Sequence, residues 1–144
     1  YYVGTPKTLE ASGALIANND VGQANDATYA TATDGAGYPD AEFVLGFTFS
    51  VAPTENSVIA LYARPINIDG TADSEPPESG ATTFKGRWYI DSFQVNNVTT
   101  LQTAMCVGYN LPREAEYYIF NSATGQSIAA GWTLKVTPRT FGPV

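Results

Sequence analysis

Residues 41–51 read AEFVLGFTFSV and alternate large apolar side chains with smaller or polar ones. Because successive side chains of a β-strand point to opposite faces, this period of two predicts a strand with one buried face. The residues predicted to be buried together are Phe43, Leu45, Phe47 and Phe49. A turn cluster at 52–56 and a second apolar run at 57–64 follow, so we expect the two strands to form an antiparallel hairpin.

Period-two patterns also dominate the rest of the chain. They occupy 84–95, 99–109, 116–121 and 132–137, with weaker examples at 7–17 and 27–32. Residues 18–37 are polar and predict turns around one short strand. The sequence therefore predicts an all-β fold, a single antiparallel β-sandwich of about eight strands with long polar loops, formed by one domain over residues 1–144.

Several large apolar side chains within these strands are candidates for the core. Trp88 and Trp132 each alternate in phase with apolar neighbours, so we expect both indoles to pack in the core. The strand at 99–109 carries Leu101, Met105 and Val107 as its large apolar residues.

The chain contains no histidine and a single cysteine. Without imidazole it cannot build a Ser-His-Asp or Cys-His nucleophile, nor a histidine-ligated metal site. Cys106 lies in an apolar run, which is typical of a small buried side chain, and a lone thiol cannot form a disulfide within the chain. We therefore expect no enzyme activity, no cofactor and no metal, and folding in a reducing compartment.

Acidic residues outnumber basic ones by 14 to 7, which gives a net charge of −7. Affinity for nucleic acid depends mainly on neutralising phosphates with Lys and Arg, and anionic membranes attract the same cations. The charge balance therefore argues against both nucleic acid and membrane as partners.

Carboxylates concentrate in residues 69–81, DGTADSEPPESGA, which predict an exposed acidic loop containing two adjacent prolines. Their spacing does not match an EF-hand, so a solvated loop is favoured over a cation site; docking on a basic patch of a partner is a further option. Other carboxylates on or beside predicted strands are Glu42, Asp91, Glu114 and Glu116. Nothing in the sequence pairs them as glycoside hydrolysis requires, and 113–116 is predicted to be a polar turn.

Several segments together resemble a known family. They are 4–9 (GTPKTL), 14–19 (ALIANN), 43–49 (FVLGFTF), 58–70 (VIALYARPINIDG) and 118–138, which includes AGWTLKV. In these segments the chain resembles the small jelly-roll structural proteins of tailed-phage virions, of the head decoration (cement) type. The resemblance implies a jelly-roll-like sandwich on the outer surface of the capsid. There it would bridge neighbouring subunits of the major capsid protein, as a dimer or trimer at symmetry axes.

Two segments are candidates for contact with such a partner: the extended N-terminal segment 1–6 and the acidic loop. The candidate residues are Tyr1, Tyr2, Pro6, Asp69, Asp73, Glu75, Pro76, Pro77 and Glu78. Because the chain opens on Tyr1 rather than on Met, we also expect residues to precede Tyr1 in the gene product.

An alternative function is a carbohydrate-binding module or a tail-associated receptor-binding module. Such a module would present tyrosine or tryptophan side chains on an exposed sheet face. The nine tyrosines leave this alternative open.

Overall fold

A computed structural model describes residues 2–77 and 88–140. Within these ranges the chain contains β-strands and no helix. The ten strands are β1 (Tyr2–Val3), β2 (Lys7–Glu10), β3 (Val21–Gln23), β4 (Tyr29–Ala30), β5 (Asp40–Phe47), β6 (Val58–Pro65), β7 (Tyr89–Gln94), β8 (Gln102–Gly108), β9 (Glu114–Ser122) and β10 (Thr133–Thr140).

The strands form two antiparallel sheets packed face to face. The first sheet has the order β1-β10-β5-β8, with β2 also paired to β10, and the second has the order β3-β9-β6-β7, with β4 also paired to β9. β1 and β2 pair with successive parts of β10, and β3 and β4 with successive parts of β9, so each sheet has one interrupted edge strand. The prediction of an all-β antiparallel sandwich is confirmed.

The inner faces of the two sheets form one apolar core. Its side chains include Phe43, Leu45 and Phe47 of β5, Ile59 and Leu61 of β6, Tyr117 and Ile119 of β9, and Leu134 and Val136 of β10. The rings of Phe43 and Tyr117, from opposite sheets, lie with their centroids 5.1 Å apart. Phe49, just beyond β5, is also fully buried, so the buried face predicted for 41–51 is confirmed.

The predicted hairpin between 41–51 and 57–64 is wrong. β5 pairs with β10 on one side and β8 on the other, whereas β6 pairs with β9 and β7 in the other sheet. Each strand is therefore an inner strand of its own sheet, and residues 48–57 carry the chain across the sandwich. Strands that are close in sequence often form a hairpin, but here β5 and β6 are each hydrogen-bonded on both sides to other strands.

Three smaller predictions are also corrected. Residues 18–37 contain two short strands, β3 and β4, rather than one. β9 begins at Glu114, so 113–116 is not a turn, because pairing with β6 extends to Glu116 and Ala115. Trp132 is buried and donates from Nε1 to the Ala14 carbonyl at 2.8 Å, but Trp88 precedes β7 and is 39% exposed.

β8 turns its large apolar side chains toward solvent, whereas the sequence pattern suggests that they face the core. Leu101, preceding the strand, and Met105 are exposed, whereas Cys106 is buried. At Gly108 a Cβ atom would lie 2.7–3.1 Å from side-chain atoms of Leu111, Ile90 and Phe43. At Gly108 the neighbouring side chains therefore leave no room for a larger residue facing the core.

An ion pair joins the edges of the two sheets. Lys7 Nζ of β2 lies 2.8 Å from Asp34 Oδ2, and the same oxygen accepts a hydrogen bond from the Ala30 amide of β4. Partial burial opposes ionisation of Asp34, but the bonds from Lys7 and Ala30 outweigh it and hold the pKa of this carboxyl below its ordinary value of 3.8.

We expect Asp34→Asn to lower the free energy of unfolding at pH 7 by about 1 kcal/mol. Since the folded-state pKa is depressed, the stabilisation by Asp34 is fully present above pH 3.8 and is lost as the pH falls below it. Urea denaturation at pH 7, 4 and 2.5 checks this, and the difference between variant and wild type should shrink at pH 2.5. Asp69→Asn, in the exposed loop, is the control, and an equal loss in both variants would contradict the role of the pair.

Candidate binding surfaces

The outer face of the first sheet carries several neighbouring exposed apolar side chains. Leu101 is 71% exposed and Met105 is 56% exposed, and Val44 and Val107 lie on the same outward face of β5 and β8. We call these four residues the aliphatic surface. A single exposed apolar residue on a soluble protein needs no explanation, but a group of neighbours on one face is typical of an interaction site.

A groove of about 430 Å³ runs beside the aliphatic surface. Gly46 of β5 lies opposite Thr103 on one neighbouring strand and Thr133 on the other, and a Cβ at Gly46 would lie only 2.8 Å from Thr133 Oγ1. The remaining lining comes from Val44, Leu101, Gly131 and Lys135. The groove is thus largely apolar, with hydroxyl groups on its walls and one ammonium group.

Lys135 differs from the other described cations that lie on strands. Lys7 lies 2.8 Å from Asp34, Arg139 lies 2.9 Å from Glu42 and Arg64 lies 3.7 Å from Glu116. In residues 2–77 and 88–140, Lys135 has no such carboxylate partner. An exposed ammonium beside an apolar groove is a suitable site for a carboxylate supplied by a partner.

The second sheet presents a different outer face. Tyr118, Tyr62 and Tyr89 lie directly opposite one another on β9, β6 and β7. We call them the tyrosine row; Gln23 of β3 extends it to the far edge of the sheet. Tyr118 is almost covered, Tyr62 is half-buried and Tyr89 is 53% exposed, so the row opens toward β7.

Polar groups adjoin the tyrosine row. Arg64 and Glu116 form the next opposed pair on β6 and β9, with Arg64 Nη1 3.7 Å from Glu116 Oε1. The other oxygen of Glu116 accepts hydrogen bonds from Gln23 Nε2 and, at 3.4 Å, from the Tyr118 hydroxyl. Burial raises the pKa values of the Tyr62 and Tyr118 hydroxyls above their ordinary value.

Each of the carboxylates singled out from the sequence has a hydrogen-bond or ion-pair partner of its own. Glu42 pairs with Arg139 on the first sheet, and Glu116 pairs with Arg64 on the second. Asp91 accepts a hydrogen bond from the Ser92 amide, and Glu114 accepts one from the Thr28 hydroxyl. In the described part of the chain no group of three or more His, Cys, Asp or Glu residues could hold a metal ion.

The predicted contact segments belong to different sheets. In the N-terminal segment, Tyr2 pairs with Thr140 at the edge of the first sheet, and Pro6 is exposed. The acidic loop instead follows β6 of the second sheet. Of its contact candidates, Asp69, Asp73 and Glu75 are exposed. Pro76 is half-buried and Pro77 is buried. Tyr1 and Glu78 lie outside the described residues.

The acidic loop folds back onto its own sheet over residues 69–77. Asp73 Oδ2 accepts the Asn67 amide at 2.8 Å, and the Asp73 amide donates to the Pro65 carbonyl at 2.8 Å. The Ser74 carbonyl accepts a hydrogen bond from Arg64 Nε at 2.9 Å. The prediction of an exposed loop holds for Asp69, Asp73 and Glu75, but Pro77 is buried.

Both surfaces were missed in the sequence. For the aliphatic surface, the available signal was the run of small residues at Ala104, Cys106 and Gly108, which alternates with the large ones. For the tyrosine row no signal was available, because the register between β6, β7 and β9 brings the three residues together.

No helix among the described residues is long and apolar enough to cross a membrane. A scan against protein-family models and searches of curated proteins and solved structures find no match to this chain.

The phase of β8 can be checked chemically. We expect hydrogen peroxide to oxidise Met105 in the folded protein, because its thioether is exposed. Cys106 should resist thiol reagents until the protein is unfolded, because burial and the nearby Asp91 carboxylate raise its pKa far above neutrality. Peptide mass spectrometry before and after unfolding in urea measures both. Rapid labelling of Cys106 together with protection of Met105 would contradict the orientation of β8, in which Cys106 faces the core and Met105 faces solvent.

Proposed function

We propose that this protein is a capsid decoration (cement) protein that binds the outer face of a phage head and stabilises contacts between major capsid protein subunits. The observation that carries the proposal is the aliphatic surface, with its groove and Lys135. On one sheet face it gives a protein partner an apolar contact area and a cation, Lys135, that has no carboxylate partner among the described residues.

The order of the strands supports a jelly roll. If each interrupted edge counts as one strand, the eight strands take the orders 1-8-3-6 and 2-7-4-5. Every connection then crosses between the sheets except the one between strands 4 and 5, which are the paired β6 and β7. This pattern of connections supports the jelly-roll architecture that the resemblance implies.

Burial of the aliphatic surface would supply most of the binding energy. Leu101 and Met105 lose the most water-exposed apolar area on docking, at about 25 cal/mol per Å². A partner carboxylate placed against Lys135 would fix the register of the contact and oppose wrong partners. Contacts of about 1,600 Å², repeated over a symmetric lattice by a dimer or trimer, give high avidity from individually modest interfaces.

The charge distribution agrees with a position on the exterior of a particle. A net charge of −7 would be repelled by packaged nucleic acid, whereas it causes no repulsion from a neutral or basic shell exterior. The N-terminal segment adjoins β10 at the edge of the same sheet, so it can extend this contact. The acidic loop follows a strand of the other sheet and is the weaker candidate for the shell contact.

The test is cosedimentation of purified protein with undecorated heads. Wild-type protein should pellet with the heads, whereas Leu101→Asp/Met105→Asp should lower the apparent affinity at least about 100-fold, because two buried apolar contacts are replaced by carboxylates. Lys135→Glu should lower it about tenfold and reverse its salt dependence.

Ile68→Asp provides the matched control. Ile68 is 68% exposed, as Leu101 is, but it lies in the connection that follows β6. Its substitution should leave binding unchanged. Failure of wild-type protein to pellet would contradict the decoration function, and loss of binding in the Ile68 variant alone would assign the contact to the acidic loop instead.

A further inference from the structure

The tyrosine row is not used by the proposed shell contact and lies on the opposite side of the sandwich. We propose that it is a binding site for a neutral oligosaccharide, which would give the protein a second, outward-facing activity. The inference stands on the second sheet alone and does not depend on the decoration function.

The first argument is the arrangement of the rings. Neighbouring strands lie about 4.8 Å apart, so residues opposed on three adjacent strands form one continuous line across the sheet. In this line Tyr118 closes the inner end, Tyr62 is half-buried and Tyr89 is open to solvent. The C–H groups of a sugar ring pack against aromatic rings, and Tyr89 with the half-buried Tyr62 beside it are the two rings of the row that a sugar can reach.

The second argument is that the rings are held in place. Tyr62 and Tyr89 pack edge to face, with centroids 5.5 Å apart and planes at 65°. The Tyr89 hydroxyl is hydrogen-bonded to the Ser92 hydroxyl at 2.6 Å. Because these contacts already restrict the side chains, little conformational entropy is left to lose on binding.

The third argument is the charge around the row. On one side the next opposed residues are Phe120, Ala60 and Ser92, which carry no charge. On the other side Arg64 and Glu116 neutralise each other at 3.7 Å. Among residues 2–77 and 88–140, the surroundings of the row thus carry no net charge and contain both hydrogen-bond donors and acceptors, which complements an uncharged, polyhydroxylated ligand.

Arg64 and Glu116 are also positioned to accept such a ligand. Arg64 is fixed by its bond to the Ser74 carbonyl, and Glu116 is fixed by Gln23 and Tyr118. A planar guanidinium and a carboxylate can each bond two adjacent hydroxyl groups. An anionic glycan would instead meet a protein whose net charge is −7.

The test uses neutral hexasaccharides of glucose, N-acetylglucosamine and mannose as probes, titrated into the isolated protein. Binding is measured by calorimetry and by tryptophan emission, to which Trp88, the residue before Tyr89, contributes together with Trp132. We expect at least one probe to bind wild-type protein, and Tyr89→Ala to lower its affinity about tenfold. Tyr89→Phe keeps the ring and should keep most of the affinity.

Met105→Ala, an equally exposed truncation on the opposite sheet, is the control and should bind the probe as wild type does. The proposal is overturned if no hexasaccharide binds, if Tyr89→Ala binds as tightly as wild type, or if a sulfated glycan binds better than its neutral counterpart. It is also overturned if Tyr89→Ala loses affinity for heads and for no sugar, since the row would then belong to a protein interface. Because the titration contains no heads, its result is independent of the shell assay.

Discussion

Close packing opposite β8 determines which side of that strand faces water. Phe43, Ile90 and Leu111 fill the space beneath it so completely that a Cβ at Gly108 would lie within 3.1 Å of all three. Gly108 fits there because it has no side chain, and Ala104 and Cys106 are the small residues that precede it on the same face; Gln102, at the start of the strand, is buried and hydrogen-bonded to Asn96. The large apolar residues of the same segment are consequently turned outward. The exposed aliphatic surface is therefore a consequence of how the core is filled.

The two outer faces of the sandwich differ in their chemistry. The first sheet presents aliphatic side chains, a groove floored by Gly46 and an ammonium group without a carboxylate partner in the described chain. The second presents aromatic rings beside an ion pair whose charges cancel. The first combination suits a protein surface that supplies a carboxylate, and the second suits an uncharged ligand rich in hydroxyls. A protein fixed to a particle by one face would display the other to the surroundings.

The fold class and the buried face of β5 could be predicted from the sequence, because alternation along one strand is a local property. The sheet to which each strand belongs could not be predicted from the sequence. A hairpin and a connection between the two sheets leave the same pattern in residues 41–64, and only the pairing with β8, β9 and β10 distinguishes them. Trp88 illustrates a second limit. Trp88 alternates with the apolar residues of the following segment, which predicts burial. It lies just before β7 begins, however, and is 39% exposed.

The candidate surfaces were harder to predict than the fold for the same reason. Both are assembled from residues on separate strands, so they depend on register. Val44, Met105 and Lys135 become neighbours only because β5 pairs with β8 and β10 at particular offsets. The predicted contact segments, by contrast, were chosen by exposure and charge along the chain, and the structure places them on different sheets.

The most direct measurement is an electron cryomicroscopy map of heads saturated with this protein. The account predicts density for the sandwich on the shell exterior, with the outer face of the first sheet against the lattice and Leu101 and Met105 covered. A map in which another face touches the shell while Leu101 and Met105 remain in solvent, or in which the protein is absent from the shell, would contradict it.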